Sequence, residues 1–304
     1  MRRWTRAAAV AATWAVCLAS SGAALADVQK VTVHTSANST DYNPAHAPVV
    51  LETKVVWSFF PPNGGRKDVW GPVCVDGLSA ADCAAARDIY VEVQETAKVL
   101  GDKKLGDQGT LHVIVMENNH PQTVRGLYDP RTKSVVLYPN RAASTLPHEV
   151  AHVYVGKHIG TQTASGIKSW GAEEGFAKIT AHRVTGDSGA GPPSADNVTD
   201  ILNGTNCTTH GSTCAHDIGN LVVDAYEDVA WHVGEVDAYK VYRDALRRLT
   251  GLVMTPASLH EKVGQILEER YPRLNIHLPN IPDPFDLPIW DAWWQIFWLG
   301  VELC

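Results

Sequence analysis

The chain has 304 residues, of which 45% are hydrophobic and 19% are charged, with 24 glycines and 17 prolines. This is the composition of an ordinary globular protein, and it excludes a disordered acidic tail, a collagen-like repeat and a coiled coil. With 33 acidic against 26 basic residues, we expect no nucleic-acid partner, because nucleic acid is bound by clustered Lys and Arg.

Residues 1–26 predict a signal peptide. Three arginines in the first six residues precede a short apolar run, residues 7–18, and the small residues at 24–26 suit a signal peptidase. The apolar run is shorter than the roughly 20 residues of a membrane-spanning helix. We therefore expect a secreted, extracellular protein without stable membrane insertion, whose mature chain begins at Asp27.

Residues 27–78 predict a β-rich segment. Val31 and Val33 alternate with polar residues, and the apolar runs 49–51 and 55–57 predict strands that precede a turn at residues 61–65. A helix is predicted over residues 79–100, because Ser79 can cap it and apolar residues recur on one face.

Five cysteines remain once the predicted leader is removed: Cys74, Cys83, Cys207, Cys214 and Cys304. Outside the cytoplasm, we expect disulfides between the first two and between the next two, with Cys304 left over. A zinc-knuckle alternative would need cysteines separated by two residues, and no such pair occurs.

Strands come before helices in the remaining chain. Residues 111–116 predict a strand and residues 124–138 a hairpin, and either could form the edge of a cleft. Helices are predicted at about 145–158, 170–185, 217–233 and 237–250. This order favours an α+β fold, with an N-terminal, mostly antiparallel sheet region and a helical C-terminal half, rather than βαβ winding.

The main predicted domain covers residues 79–278. Residues 279–304 follow as a Pro-rich strap and a helix with a stripe of Trp, which we expect to pack on the domain because it has no basic face.

The pattern His-Glu-x-x-His occurs at His148, Glu149 and His152, where a helix is independently expected. Thr145 can cap this helix, and Pro147 is tolerated in its first turn. Residues four apart share one helical face, so the two imidazoles can bind one metal ion while Glu149 serves as a general base. A helix with surface His and Glu is the alternative interpretation.

A third ligand is expected from Glu174, in the next helix, because a catalytic zinc needs three protein ligands and an open position. The segment from Trp170 to Ala177 opens that helix, with Ser169 as its cap. Glu173 is the alternative ligand, although it faces about 100° away on a helix.

Together, the His148–His152 pattern and the segment Trp170-Gly171-Ala172-Glu173-Glu174-Gly175-Phe176-Ala177 resemble the gluzincin metallopeptidases, and among them the aminopeptidase N family. That family's second motif reads W-L-N-E-G-F-A, one residue shorter before the shared Glu-Gly-Phe-Ala. The resemblance covers about 40 residues. It implies a zincin-like domain in which His148, His152 and Glu174 bind Zn2+ and Glu149 is the general base.

The same resemblance calls for a donor to the oxyanion of the reacting carbonyl. His216, in His216-Asp217-Ile218-Gly219, stands at the Tyr position of the family's Y-x-x-G helix start. The alternatives for this role are Tyr226, Tyr239 and Tyr242, and His216 could also simply begin a helix.

Met116-Glu117-Asn118 matches three residues of the G-A-M-E-N segment with which aminopeptidases bind a free amino terminus. Two glycine/alanine positions of that segment are Ile114 and Val115 here, which favours a plain sheet strand.

We therefore expect a secreted zinc metallopeptidase, an endopeptidase acting on peptide or protein substrates. The alternatives are a non-catalytic zincin-fold protein that binds metal or peptide, and a zinc hydrolase of non-peptide amides or esters.

Overall fold

The structure is a computed structural model that describes residues 28–38, 41–62, 64–120, 124–160, 167–187 and 211–274. The predicted signal peptide, the strap with its Trp-rich helix, Cys207 and Cys304 lie outside these residues, and with them the predicted disulfide to Cys214.

The described strands form one sheet in the order β3-β2-β1-β4-β6-β5. Their bounds are β1 Lys30–Ser36, β2 Val49–Phe59, β3 Lys67–Cys74, β4 Thr110–Met116, β5 Gly126–Asp129 and β6 Ser134–Leu137. The pairs β1–β2, β2–β3 and β5–β6 are antiparallel, whereas β4 runs parallel to both β1 and β6. The N-terminal strands therefore belong to the same sheet as the later ones.

The described helices are α1 Ala80–Leu100, α2 Thr145–His158, α3 Ile167–Thr185, α4 Gly211–Val233, α5 Glu235–Arg248 and α6 Pro256–Arg270. No described helix is long and apolar enough to cross a membrane.

The main core lies between the helices and one face of the sheet. Val33, Val113 and Val135 point into this core, which all six helices share. The opposite face carries a smaller cluster of strand and loop residues around Ile114 and Tyr138. Because the described helices share one core on one face, the α+β prediction is confirmed.

Several local predictions are confirmed. Ser79 caps α1 through its side chain, which accepts from the amide of Asp82. Cys74 and Cys83 form a disulfide with a Cα–Cα distance of 5.8 Å. The predicted hairpin is β5–β6, and its outer strand β5 is an edge of the sheet, whereas β4 lies in the interior and cannot be the cleft's edge.

Other local predictions are wrong in their boundaries. Ser169 does not cap α3, because that helix already begins at Ile167 and Ser169 is buried within it. Thr145 is the first residue of α2 rather than its cap. His216 does not begin a helix, since α4 starts five residues earlier at Gly211.

Helix α6 is absent from the sequence-based prediction. Its start carries a capping box between Thr255 and Ser258, with Pro256 at the first helical position. The capping box and a proline at the first helical position are both features from which a helix start can be predicted in the sequence.

Candidate metal centre

Helix α2 places two histidines side by side. Nearly all of this helix is buried, from Leu146 to Val155. His148 and His152 lie one turn apart on the same face, with their rings 4.8 Å apart and nearly perpendicular. Their Nε2 atoms are 3.1 Å from each other, so both imidazoles direct a ring nitrogen at the same space.

Helix α3 adds a carboxylate to this space. Glu174 Oε2 lies 3.1 Å from His148 Nε2, and Glu174 Oε1 lies 3.6 Å from His152 Nε2. Ligand atoms bound about 2.0–2.1 Å from a tetrahedral zinc ion lie about 3.3 Å from one another. The three side chains therefore have both the chemistry and the spacing to hold a zinc ion.

One oxygen in this cluster lacks a suitable partner. Glu174 Oε2 is buried and makes no hydrogen bond of acceptable geometry with any described residue, although nitrogens of His148 and His216 both lie 3.1 Å away. A buried carboxylate oxygen without a partner is costly. Close nitrogen–oxygen distances without hydrogen-bond angles are expected where the lone pairs converge on a cation.

Two neighbouring side chains orient these groups. Glu173 Oε1 lies 2.8 Å from His152 Nδ1, the ring nitrogen that faces away from Glu174. Trp170 Nε1 donates to Glu174 Oε1 at 2.9 Å. Glu173 is thus placed behind a histidine, on the side opposite the cluster. For a neutral His152 ring, this contact would favour the tautomer in which Nε2 carries the lone pair.

The charges within the cluster reinforce one another. Burial raises the pKa of the Glu174 carboxyl, but the imidazoles of His152 and His148 outweigh burial and hold that pKa well below its usual range. Burial lowers the pKa of His152, but Glu174 and Glu173 raise it to about 10. The carboxylates of Glu173 and Glu174 therefore create a negative potential around His152, which favours a positive charge at this position.

Glu149 lies beside the cluster, on the same helix, and is only 8% exposed. Burial raises the pKa of its carboxyl, although His148 and His152 oppose the shift. A carboxylate with a raised pKa accepts a proton more readily near neutral pH.

The edge strand β5 passes close to Glu149. A Cβ atom added to Gly126 would lie 3.2 Å from Glu149 Cγ and only 2.5 Å from Thr145 Cγ2. Glycine therefore allows this edge of the described sheet to run alongside the helix that carries Glu149.

Helix α4 approaches the cluster through glycines. Added Cβ atoms at Gly171 and Gly175 would lie 2.4 Å from Ile218 and 2.5 Å from Val222, and one at Gly219 would lie 3.0 Å from Glu174 Cβ. This close packing of α3 on α4 brings His216 Nδ1 to 3.1 Å from Glu174 Oε2. Because the His216 side chain is 48% exposed, it lies where the cluster meets solvent.

The alternative oxyanion donors lie elsewhere. Tyr226, Tyr239 and Tyr242 are buried in the main core, and their hydroxyls contact Glu235 O, Thr180 Oγ1 and His260 Nε2 respectively. Of the four candidates for this role, His216 is the one the structure places beside Glu174.

Asn118, in the segment compared with G-A-M-E-N, donates through Nδ2 to the Ala37 carbonyl. The side-chain nitrogen of Asn118 therefore links the chain just after β4 to the chain just after β1.

Sequence reasoning missed Lys178 and Asn220. Lys178 lies one turn after Glu174 and is 5% exposed. Its amine donates to the carbonyl of His216 at 2.9 Å and to Asn220 Oδ1. The sequence does contain a signal for Lys178, because it is a lysine within the apolar run that follows Glu174. Lysine is rarely buried without partners, so such a position predicts a paired, buried cation.

Comparison with known proteins gives no family assignment: no protein-family model matches the chain, and no curated protein matches it.

Proposed function

We propose that this protein is a secreted zinc metallopeptidase with a zincin-like catalytic domain, and that it cleaves within extended peptides. The observation that carries the proposal is the cluster of His148, His152 and Glu174, whose ligand atoms all lie within 4.8 Å of one another. Two imidazoles and one carboxylate are a ligand set found in catalytic zinc sites, which leave a further position open.

His148, His152 and Glu174 would hold the zinc ion, and Glu173 would keep the His152 ring in the required orientation. When bound, zinc supplies a Lewis acid that polarises a carbonyl and makes a water molecule more acidic. Glu149, buried and with a raised pKa, takes a proton from the attacking water and returns it to the leaving amine. His216, exposed beside Glu174, donates to the carbonyl oxygen as negative charge develops there.

The edge strand β5 supports a peptide as the substrate. Its outer side has no neighbouring strand in the described sheet, and it passes Glu149 at the close approach of Gly126. An extended peptide can pair with such an edge through its backbone. Binding by pairing along a strand does not require a free terminus, which favours internal cleavage.

The test compares wild type, Glu149→Gln and Glu268→Gln on a peptide library, with and without a chelator. Glu268 is exposed on α6, so its variant makes the same chemical change away from the cluster. We expect chelator-sensitive internal cleavage by wild type and Glu268→Gln. For Glu149→Gln we expect a loss of about 10²–10⁴-fold in kcat with the zinc content retained.

Two outcomes would overturn the proposal. Full activity in Glu149→Gln would exclude the proposed general base. One equivalent of zinc without peptide cleavage would indicate a metal- or peptide-binding protein, or a hydrolase of other amides or esters, which a panel of ester and amide substrates would identify.

A further inference from the structure

Lys178 is a buried cation that the proposed reaction does not use. It belongs to α3, one turn beyond Glu174, and only 5% of its surface is exposed. Burial lowers the pKa of its amine, while the carboxylates of Glu174, Asp217 and Asp224 oppose that shift. Because burying an ammonium group is costly unless it is well paired, its contacts indicate what it does.

Both hydrogen bonds of Lys178 join α3 to α4, one to its second turn and one to its third. The amine donates to the backbone carbonyl of His216 at 2.9 Å and to the side-chain oxygen of Asn220, one turn further along α4. Asn220 is itself buried. A cation on the carboxylate-bearing helix thus holds the backbone of the residue whose imidazole lies against that carboxylate.

Helices α3 and α4 pack closely, and the hydrogen bonds of Lys178 affect how they are aligned. Gly171, Gly175 and Gly219 allow the two helices to touch at the backbone, and apolar contacts of this kind have no directional preference. The two hydrogen bonds from the Lys178 amine add directed contacts at His216 and Asn220.

We propose that Lys178 is a positioning residue that fixes His216, through the His216 carbonyl and Asn220, at the distance from Glu174 that the reaction requires. This inference rests on the proposed function, since it assigns His216 a place in the same reaction. Among the described residues, the hydrogen bonds of Lys178 go to His216 and Asn220 rather than to His148, His152 or Glu174.

The test is a double-mutant cycle with Lys178→Met and His216→Ala. Met preserves much of the volume of the lysine chain and removes its charge and hydrogen bonds. We expect His216→Ala to lower kcat by about 10²–10³-fold and Lys178→Met by up to about 100-fold. The double variant should match His216→Ala alone within about twofold, because a residue that acts through His216 has no effect once the imidazole is gone.

A spectroscopic measurement tests the same proposal without activity. In protein labelled at histidine, the imidazole resonances of His216 should shift or broaden in Lys178→Met. The matched control is Lys240→Met, because Lys240 is half exposed on α5 and its loss should leave those resonances unchanged. If wild type hydrolyses no peptide, the proposed function fails while these resonances still decide the role of Lys178.

The proposal is overturned if the His216 resonances are unchanged in Lys178→Met. It is also overturned if the fold-loss of kcat in the double variant equals the product of the fold-losses in the two single variants. Independent effects would mean that Lys178 acts on Glu174 or on folding. If Lys178→Met does not fold, Asn220→Ala removes one of the two bonds and should shift the same resonances in the same direction by less; unchanged resonances in that variant would equally overturn it.

Discussion

Two pairs of histidines in this molecule have the same separation and opposite surroundings. His148 and His152, on α2, approach to 3.1 Å between ring nitrogens, and His34 and His112, on β1 and β4, also approach to 3.1 Å. Each pair lies in the interior, largely screened from solvent. Distance between imidazoles alone therefore cannot identify a metal site.

The strand pair is complete without a cation. His34 Nδ1 lies 3.0 Å from the Ala47 carbonyl, so it donates there and leaves Nε2 to accept from His112 Nδ1. Burial lowers the pKa of both rings; the Ala47 carbonyl and the charge of Glu52 oppose this for His34, and the charge of Asp107 opposes it for His112. The lowered pKa values favour neutral imidazoles, and two neutral rings can share the hydrogen bond between them.

The helix pair differs because carboxylates surround it. Carboxylates stand on both sides of His152, and Oε2 of Glu174 keeps no hydrogen bond of acceptable geometry among the described residues. Of all the described side chains, His148, His152 and Glu174 form the one group of three that could share a metal ion. The carboxylate, rather than the imidazole pair, therefore distinguishes the two regions.

The largest effect is expected when that carboxylate is neutralised. Glu174→Gln removes the anionic ligand and should weaken zinc binding about 100-fold or more, since a structural site releases about 10–16 kcal/mol over four ligands. Competition with a coloured chelator measures this affinity. His112→Asn is the matched control, and zinc binding that is lost in this control, or kept in Glu174→Gln, would erase the distinction between the pairs.

A smaller loss of zinc affinity is expected when Glu173, which contacts His152 Nδ1, is neutralised. Glu173→Gln preserves an oxygen acceptor for Nδ1 but removes the charge, and loss of such a supporting carboxylate typically costs about 10–100-fold in metal affinity. The same competition assay measures it, with Glu227→Gln, an exposed change on α4, as the control. An unchanged affinity in Glu173→Gln would show that the charge of Glu173 is not needed.

Helix packing holds the first pair's carboxylate in place, whereas strand register holds the second pair. Gly171→Ala would place a Cβ 2.4 Å from Ile218 and should lower the free energy of unfolding by about 1–3 kcal/mol. Gly65→Ala, where an added Cβ meets nothing within 4 Å, should change it by less than about 0.5 kcal/mol. Urea denaturation compares them, and equal stabilities would contradict the close packing of α3 on α4.

The smallest effect concerns protonation of the strand pair. Because the pKa values of His34 and His112 are lowered in the folded state, the unfolded chain binds more protons below about pH 6.5, and stability falls with falling pH. The variant His34→Gln/His112→Gln should lose less stability than wild type between about pH 7 and pH 5. Parallel pH profiles in urea denaturation would show that the pair does not couple protonation to folding.

Local signals in the sequence predicted much of the site. The bounds of α2 follow from an apolar run with Pro147 in its first turn, and the spacing of His148 and His152 places both rings on one face. The position of Glu174 on α3 agrees with its predicted proximity to the histidines, although α3 begins three residues before the predicted start. These features depend on residues that are close together along the chain.

Contacts between distant segments could not be predicted in the same way. His34 and His112 meet because β1 pairs in parallel with β4, a register that nothing near either residue specifies. Lys178 meets the His216 carbonyl because α3 and α4 pack at three glycines, across a segment that separates the two residues by 38 positions. The partner of a buried polar group is set by the tertiary fold.

The most direct test of the metal centre is X-ray absorption at the zinc edge, combined with metal analysis of the purified protein. The result expected is one equivalent of zinc in a shell of two imidazole nitrogens and carboxylate oxygen, at about 2.0–2.2 Å, with both imidazoles retained in His34→Gln/His112→Gln. A zinc shell without imidazole, or a protein that takes up no zinc, would contradict the assignment of His148, His152 and Glu174.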